Sequence, residues 1–176
     1  MTIRFKFAAH KAYAAIHWMA AERRNIDLHA LLKTCYFADK SHLNERHRPI
    51  FGATYKAMKF GPVPLEIYEM LKEDALWKAE IGVDQFPWEL SGYRIQLRGN
   101  SEPDLEKLTD GNVEHLNAAL EKSTSMTFNE RTDATHGADW QRANLGIMRY
   151  EDMLEDGPDK EKILENLTAN AKYMRL

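Results

Sequence analysis

The chain has 176 residues, 44% hydrophobic and 29% charged, with 27 acids against 24 bases for a formal charge of −3. A chain this long buries roughly 70% of the surface it exposes when unfolded, so no metal or disulfide staple is required for folding. Its apolar runs fall far short of the ~20 residues of a membrane span, and no apolar core with a small-residue cleavage site opens the chain. The single cysteine, Cys35, has no internal disulfide partner, and the expectation is a cytoplasmic protein.

The small net charge hides an asymmetry. Residues 1–60 hold 11 Lys/Arg against 4 Asp/Glu, a surplus of seven positive charges, whereas residues 61–176 hold 13 against 23. The two parts either pack together and offset one another, or one of them steers a partner of opposite sign.

In chain order, Ala8, Ala12, Ala15, Ile16 and Met19 recur at helical steps and predict a helix from Phe5 to Arg23 whose alanines allow close packing. Asp27 is placed to cap a second helix, about Leu28 to Glu45, with Leu28, Leu31, Leu32, Cys35, Ala38 and Leu43 facing inward. Arg48-Pro49 ends it. Phe51 to Phe60 reads as extended, and Gly61-Pro62-Val63-Pro64 as a stiff turn that sets Pro64 in the first turn of a short helix to about Lys72, carrying Ile67, Tyr68 and Leu71.

Tyr93, Ile95 and Leu97 then alternate with Arg94, Gln96 and Arg98, the pattern of a strand with one buried face, and its expected partner is the Phe51 to Phe60 segment. Ser101-Glu-Pro-Asp104 resembles a helix start. Val113, Leu116 and Leu120 form a helical stripe, and Thr127-Phe-Asn-Glu130 matches a capping box. A helical stretch from Ala138 to Met153, a break at Gly157-Pro158 and a last helix with Ile163, Leu164, Leu167 and Met174 complete the chain. No repeat or long linker divides it. The expected fold is α+β, mainly α: a single helical domain over residues 1–176, with a small antiparallel sheet or hairpin inserted after the second helix.

No phosphate-cradling loop, dinucleotide fingerprint, His-Glu-x-x-His or Gly-x-Ser-x-Gly is present, and no cofactor is expected. Two polar constellations stand out. Asp39 and His42 share a helix face, with His47 about 140° further round; a carboxylate that accepts from a histidine fixes its tautomer, for general-base or metal chemistry or to satisfy a half-buried polar pair. In Thr135-His136-Gly137-Ala138-Asp139-Trp140, the Thr135 hydroxyl or His136 caps the following helix while Trp140 packs inward, or His136 joins Asp39 and His42 in a metal site. Cys35 lies on an apolar stripe and reads as a small hydrophobe.

The block Leu32-Lys-Thr-Cys-Tyr-Phe-Ala-Asp-Lys-Ser-His-Leu-Asn-Glu-Arg-His-Arg-Pro49, then Phe51-Gly-Ala-Thr-Tyr-Lys-Ala-Met-Lys-Phe-Gly-Pro-Val-Pro64 and Glu66-Ile-Tyr-Glu-Met-Leu71, closely resembles the Panacea domain of SocA-like antitoxins. The positions that carry the resemblance are Asp39, Lys40, His42, Leu43, Pro49, Gly61, Pro62 and Pro64, with His136 and Trp140 later. The chain departs from the family pattern at His47, where glycine is common, and at Gly137-Ala138-Asp139.

The resemblance implies a non-enzymatic antitoxin that binds a cognate protein toxin encoded by a neighbouring gene, with adaptor-like delivery of the toxin to a protease in the SocA branch. No membrane or nucleic-acid partner is expected. Candidate partner anchors in the family-like block are Tyr36, Arg48, Tyr55, Lys59 and Tyr68. Two other readings are a small enzyme or metal-binding protein using Asp39, His42 and His136, and a winged-helix-like nucleic-acid-binding regulator using the basic third.

Overall fold

The computed structural model describes residues 2–176. Helix α1 (Ala9–Glu22) starts later than the alanine stripe suggests, because the Ala8 amide donates to the Phe51 carbonyl at 2.8 Å and Ile3 donates to Glu151. The segment before α1 is thus tied to other parts of the chain rather than wound into the helix. Ala12, Ala15 and Ala20 are fully buried.

After the two-residue strand β1 (Ile26–Asp27), Asp27 caps helix α2 (Leu28–Arg46) by accepting from the Ala30 amide, as expected. Every residue from Leu31 to Asp39 is buried. This stretch of the helix is enclosed on all sides, whereas Ser41, Glu45 and Arg46 near its end are exposed, and the helix packs most extensively against α5 (Asp110–Thr124). It ends at His47, whose positive φ turns the chain and whose amide returns to the Leu43 carbonyl.

The β structure differs from expectation. Strands β2 (Tyr55–Met58) and β3 (Gly61–Pro64) form a hairpin through Lys59-Phe60, so Gly61-Pro62-Val63-Pro64 is a strand rather than a stiff turn. The register alternates hydrogen-bonded and open pairs outward from Met58 and Gly61, which puts Pro62 and Pro64 at open pairs where no amide is required. Pro64 is the residue before helix α3 (Leu65–Leu71), one step outside its first turn.

The strand predicted around Tyr93 to Leu97 exists as β5 (Arg94–Leu97), but it pairs with β4 (Trp88–Ser91) and β1, giving the antiparallel order β1-β5-β4. The Phe51 to Phe60 segment belongs to the other sheet. Its outer edge is covered by the chain around Ile147, with the Ala57 amide donating to the Gly146 carbonyl and the Met148 amide to the Tyr55 carbonyl. Tyr93 lies in the Gly92-Tyr93 turn, 78% exposed, and not on the buried face.

Three helical expectations also change. Ser101 to Asp104 starts no helix; it runs against α1, where His17 Nε2 meets the Ser101 carbonyl, and α5 starts at Asp110 behind a Thr109–Asn112 capping box. An unforeseen helix α4 (Ala75–Ile81) follows the Asp74 cap and stops at Gly82. The Thr127–Glu130 capping box is present and opens α6 (Phe128–Thr135). The predicted stretch from Ala138 to Met153 is two helices, α7 (Ala138–Ala143) and α8 (Tyr150–Met153), split by positive φ at Asn144 and Leu145. Helix α9 (Lys160–Asn170) and a 3-10 turn (Ala171–Tyr173) follow, with Met174 half-buried after them.

The protein is mainly helical with a little antiparallel sheet, as expected, although β1 precedes the second helix and the strands form two sheets. The core is a contiguous cluster that includes Ile16, Leu31, Leu43, Phe51, Ile67 and Trp88.

Candidate functional site

Asp39 is fully buried in the middle of α2, and its carboxylate holds the turn that follows the helix. Oδ1 accepts from the amides of Ile50 at 2.7 Å and Phe51 at 2.9 Å, and Oδ2 accepts from the Tyr55 hydroxyl at 2.8 Å. Burial pushes the carboxyl up to about 7, against the hydrogen bonds from Phe51, Tyr55 and Ile50. A short-chain acid with three donors around it is a brace for backbone groups that would otherwise be buried without partners.

His42 faces elsewhere. The Asn112 side-chain amide donates to Nε2 at 3.1 Å, which leaves Nδ1 as the donor to the Arg48 carbonyl at 2.6 Å. Asn112 in turn accepts from Lys11 and from the Thr109 amide. His42 thereby joins α2, α5 and the Arg48-Pro49 turn.

His136 ends α6 and lies flat on Trp140, with centroids 3.7 Å apart and 12° between planes. It caps nothing. Thr135 donates backward to the Arg131 carbonyl, and α7 has Gly137 as its N-cap and no side-chain cap, so the expected cap of that helix is absent. Trp140 is half-buried and donates from Nε1 to the Met58 carbonyl at 2.9 Å, fixing α7 to the β2–β3 hairpin. Beside it, Asp139 is buried, accepts from the Tyr36 hydroxyl and pairs with Lys40 at 3.1 Å. Asp39, His42 and His136 therefore serve three separate sets of partners, and no group of three or more His, Cys, Asp or Glu among the described residues is arranged to hold a metal. Cys35 is buried, and burial pushes its thiol far up, away from the nucleophilic thiolate.

A groove of about 870 Å³ lies between the start of α2, the β2–β3 hairpin, the Tyr93 turn and the start of α6. Met58, Phe60, Tyr93 and Phe128 line it while remaining exposed. Phe60 meets Phe128 edge-on at 5.1 Å, and Phe128 stacks on His29. His29 is held neutral: Arg131 donates to Nδ1, Nε2 donates to the Phe60 carbonyl, and burial together with nearby Lys33 lowers its pKa to about 4.

Lys33 also lines the groove, although it is only 1% exposed. Its ammonium donates to the Pro62 carbonyl at 2.8 Å, an acceptor that β3 turns away from its partner strand. Burial and then repulsion from Arg131 lower it to about 7. Gly61 makes this approach possible: with φ +106, a Cβ there would lie 2.4 Å from Thr135 Oγ1 and 2.7 Å from Lys33 Cε.

The anticipated anchors are dispersed by the fold. Tyr36 and Tyr55 are in the core, bonded to Asp139 and Asp39, and offer no surface to a partner in this structure. Arg48 is half-buried and donates to the Arg175 carbonyl. Lys59 and Tyr68 line the groove. Nothing in the sequence marks Phe60 or Phe128 as site residues, and Tyr93 reads there as part of a buried strand face; the one signal for Lys33 is a cation inside an otherwise apolar stretch of α2.

Fold and site together define a mainly helical protein whose Asp39 and His42 brace its own backbone, with an apolar groove beside cations open at its surface. The family model described as "Antitoxin SocA-like, Panacea domain" matches residues 31–141, and the chain belongs to that family. Neither a curated protein nor a solved structure gives a significant match. The matched stretch holds Lys33, Asp39, Gly61 to Pro64, Thr135, His136 and Trp140, the residues that join α2, the hairpin and α6–α7. Membership supports a toxin–antitoxin role and points away from catalysis. No helix is long and apolar enough to cross a membrane among the described residues.

Proposed function

We propose that this protein is an antitoxin that neutralises a cognate protein toxin, encoded by a neighbouring gene, by binding it directly through the groove. One observation carries the reading: four exposed large apolar side chains, with Phe60 at 48% and Tyr93 at 78%, gather around a single recess. Contiguous apolar surface of this kind on a soluble protein marks an interaction site. Aromatic side chains around a recess are the residue types that dominate binding energy. Lys59 and Tyr68, anchors expected from the sequence, belong to the same surface. In this reading residues 1–176 act as one domain in the cytoplasm, make and break no bond, and present the bound toxin as the species an adaptor mechanism would hand to a protease.

The test is co-expression with the neighbouring gene. The wild-type protein restores growth and copurifies with the toxin. The double variant Phe60→Ser/Tyr93→Ser, altered only at exposed positions, keeps its circular dichroism spectrum and loses both rescue and copurification, since central aromatic anchors contribute about 2 kcal/mol or more each. Full rescue by that variant rules out the groove, and a harmless neighbour product overturns the function.

A further inference from the structure

Charge around the groove is unbalanced. Among the described residues Lys33, Lys59 and Arg94, all lining it, form no ion pair with a carboxylate. The acid that lines it, Asp27, is paired with Arg131 at 3.3 Å and also caps α2. His29 is neutral for the reasons given above. The recess therefore offers apolar walls and three uncompensated cations, one of them almost wholly removed from water.

A buried ammonium with a single carbonyl acceptor has two donor positions open, and its desolvation is costly unless an anion supplies the missing interaction. A carboxylate arriving next to an apolar side chain would supply it. The apolar body fills the space among Phe60, Phe128 and Tyr93, and the anion enters the low-dielectric recess where a charge-assisted hydrogen bond is strong.

We infer that the groove takes a segment of its protein partner in which a large apolar side chain adjoins a carboxylate, the carboxylate being seated at Lys33 with Lys59 and Arg94 at the rim. The inference rests on the docking reading above and adds the partner's chemistry to it. A nucleic acid fits poorly: Lys33 is reached through apolar walls, and the remainder of the chain, residues 61–176, carries ten more acids than bases. The surplus of positive charge in residues 1–60 thus has a local use, and the expected partner surface is acidic at this contact.

Two fluorescent probes separate the anion from the apolar body: 8-anilinonaphthalene-1-sulfonate and its uncharged parent, N-phenyl-1-naphthylamine. Titrated into the full-length protein below the Lys33 midpoint, the sulfonate binds about tenfold more tightly than the amine, as a charge-assisted contact implies. Lys33→Met abolishes most of that preference while leaving the uncharged probe bound as before, which shows the groove intact. Lys59→Ala/Arg94→Ala weakens the sulfonate less than Lys33→Met does. Equal binding of the two probes, a preference that survives Lys33→Met, or one that depends on the rim pair alone overturns the inference. In the growth assay, Lys33→Met weakens neutralisation. If Phe60→Ser/Tyr93→Ser abolishes neutralisation while Lys33→Met and the rim variant leave it whole, docking at the groove stands and the acidic segment falls.

Discussion

The Tyr55 hydroxyl donates to Asp39 Oδ2 at 2.8 Å, joining the centre of α2 to the first residue of β2 through a contact that water does not reach. The same carboxylate takes the amides of Ile50 and Phe51, so one side chain satisfies three donors of the turn between helix and hairpin.

Removing that acceptor leaves the Ile50 and Phe51 amides buried without a partner and the Tyr55 hydroxyl with only the Cys35 carbonyl, at 3.2 Å. Asp39→Ala is expected to lower stability by about 3–5 kcal/mol, because each orphaned buried group costs about 1–3 kcal/mol and the turn relaxes only in part. Tyr55→Phe removes one donor and costs about 1–2 kcal/mol. Urea unfolding followed by tryptophan fluorescence measures both. A loss for Asp39→Ala no larger than for Tyr55→Phe would show that the turn does not depend on the carboxylate.

Gly61 has a different constraint. Alanine there must adopt φ +106 and place its Cβ within 2.4 Å of Thr135 Oγ1, whereas Gly92 also has positive φ but open space around it. Gly61→Ala is therefore expected to cost about 3 kcal/mol or more, and Gly92→Ala about 1 kcal/mol from backbone strain alone. Thr135→Ala in the Gly61→Ala background recovers part of the loss. Thermal unfolding of the four proteins checks the order, and equal losses at the two glycines would remove the packing argument.

The features legible in the sequence were those fixed within a few residues: the Asp27 cap, the Thr127–Glu130 box and the helix from Leu28. A hairpin after the second helix is expected, but its second strand is not legible, because Pro62 and Pro64 carry no amide and only the register shows that none is needed there. The pairing of β5 with β1 was hidden for another reason: β1 is two residues long and makes no period of its own. Helix α4 was readable in principle, with Asp74 and Gly82 as its start and stop. Of the site, the family-like positions were visible but turned out to hold backbone together, as Asp39 and His42 do. The groove comes from residues near 29, 60, 93 and 128, whose proximity is a property of the tertiary fold.

Cys35 offers a check on the rigidity of α2. Its side chain is fully buried and burial pushes its thiol up, so a thiol reagent such as Ellman's must wait for the helix to be uncovered. No labelling of the native protein is expected on the timescale that labels the urea-unfolded chain completely. Prompt reaction in native buffer would mean that α2 opens locally, against the burial of every residue from Leu31 to Asp39.

Lys33 gives the protein a pH signature. Its folded pKa is about 7 against an ordinary 10.5, lowered first by burial and then by Arg131. Below about 7 both folded and unfolded chains carry the proton, and the full cost of the buried charge is present. Between about 7 and 10.5 the folded protein has released the proton while the unfolded chain still holds it. The unfolded state then binds more protons, so stability rises with pH across that window and levels off above it. Lys33→Met removes the titrating group, and the difference in unfolding free energy between variant and wild type should shrink by a few kcal/mol, ~2–4, from the lower to the upper end of the window. At neutral pH the variant is expected to be at least as stable as the wild type, since an apolar chain of similar length replaces a desolvated cation. Urea titrations of both proteins at several pH values decide it; a constant difference would mean that Lys33 stays charged in the fold and has a partner in solution that compensates its burial.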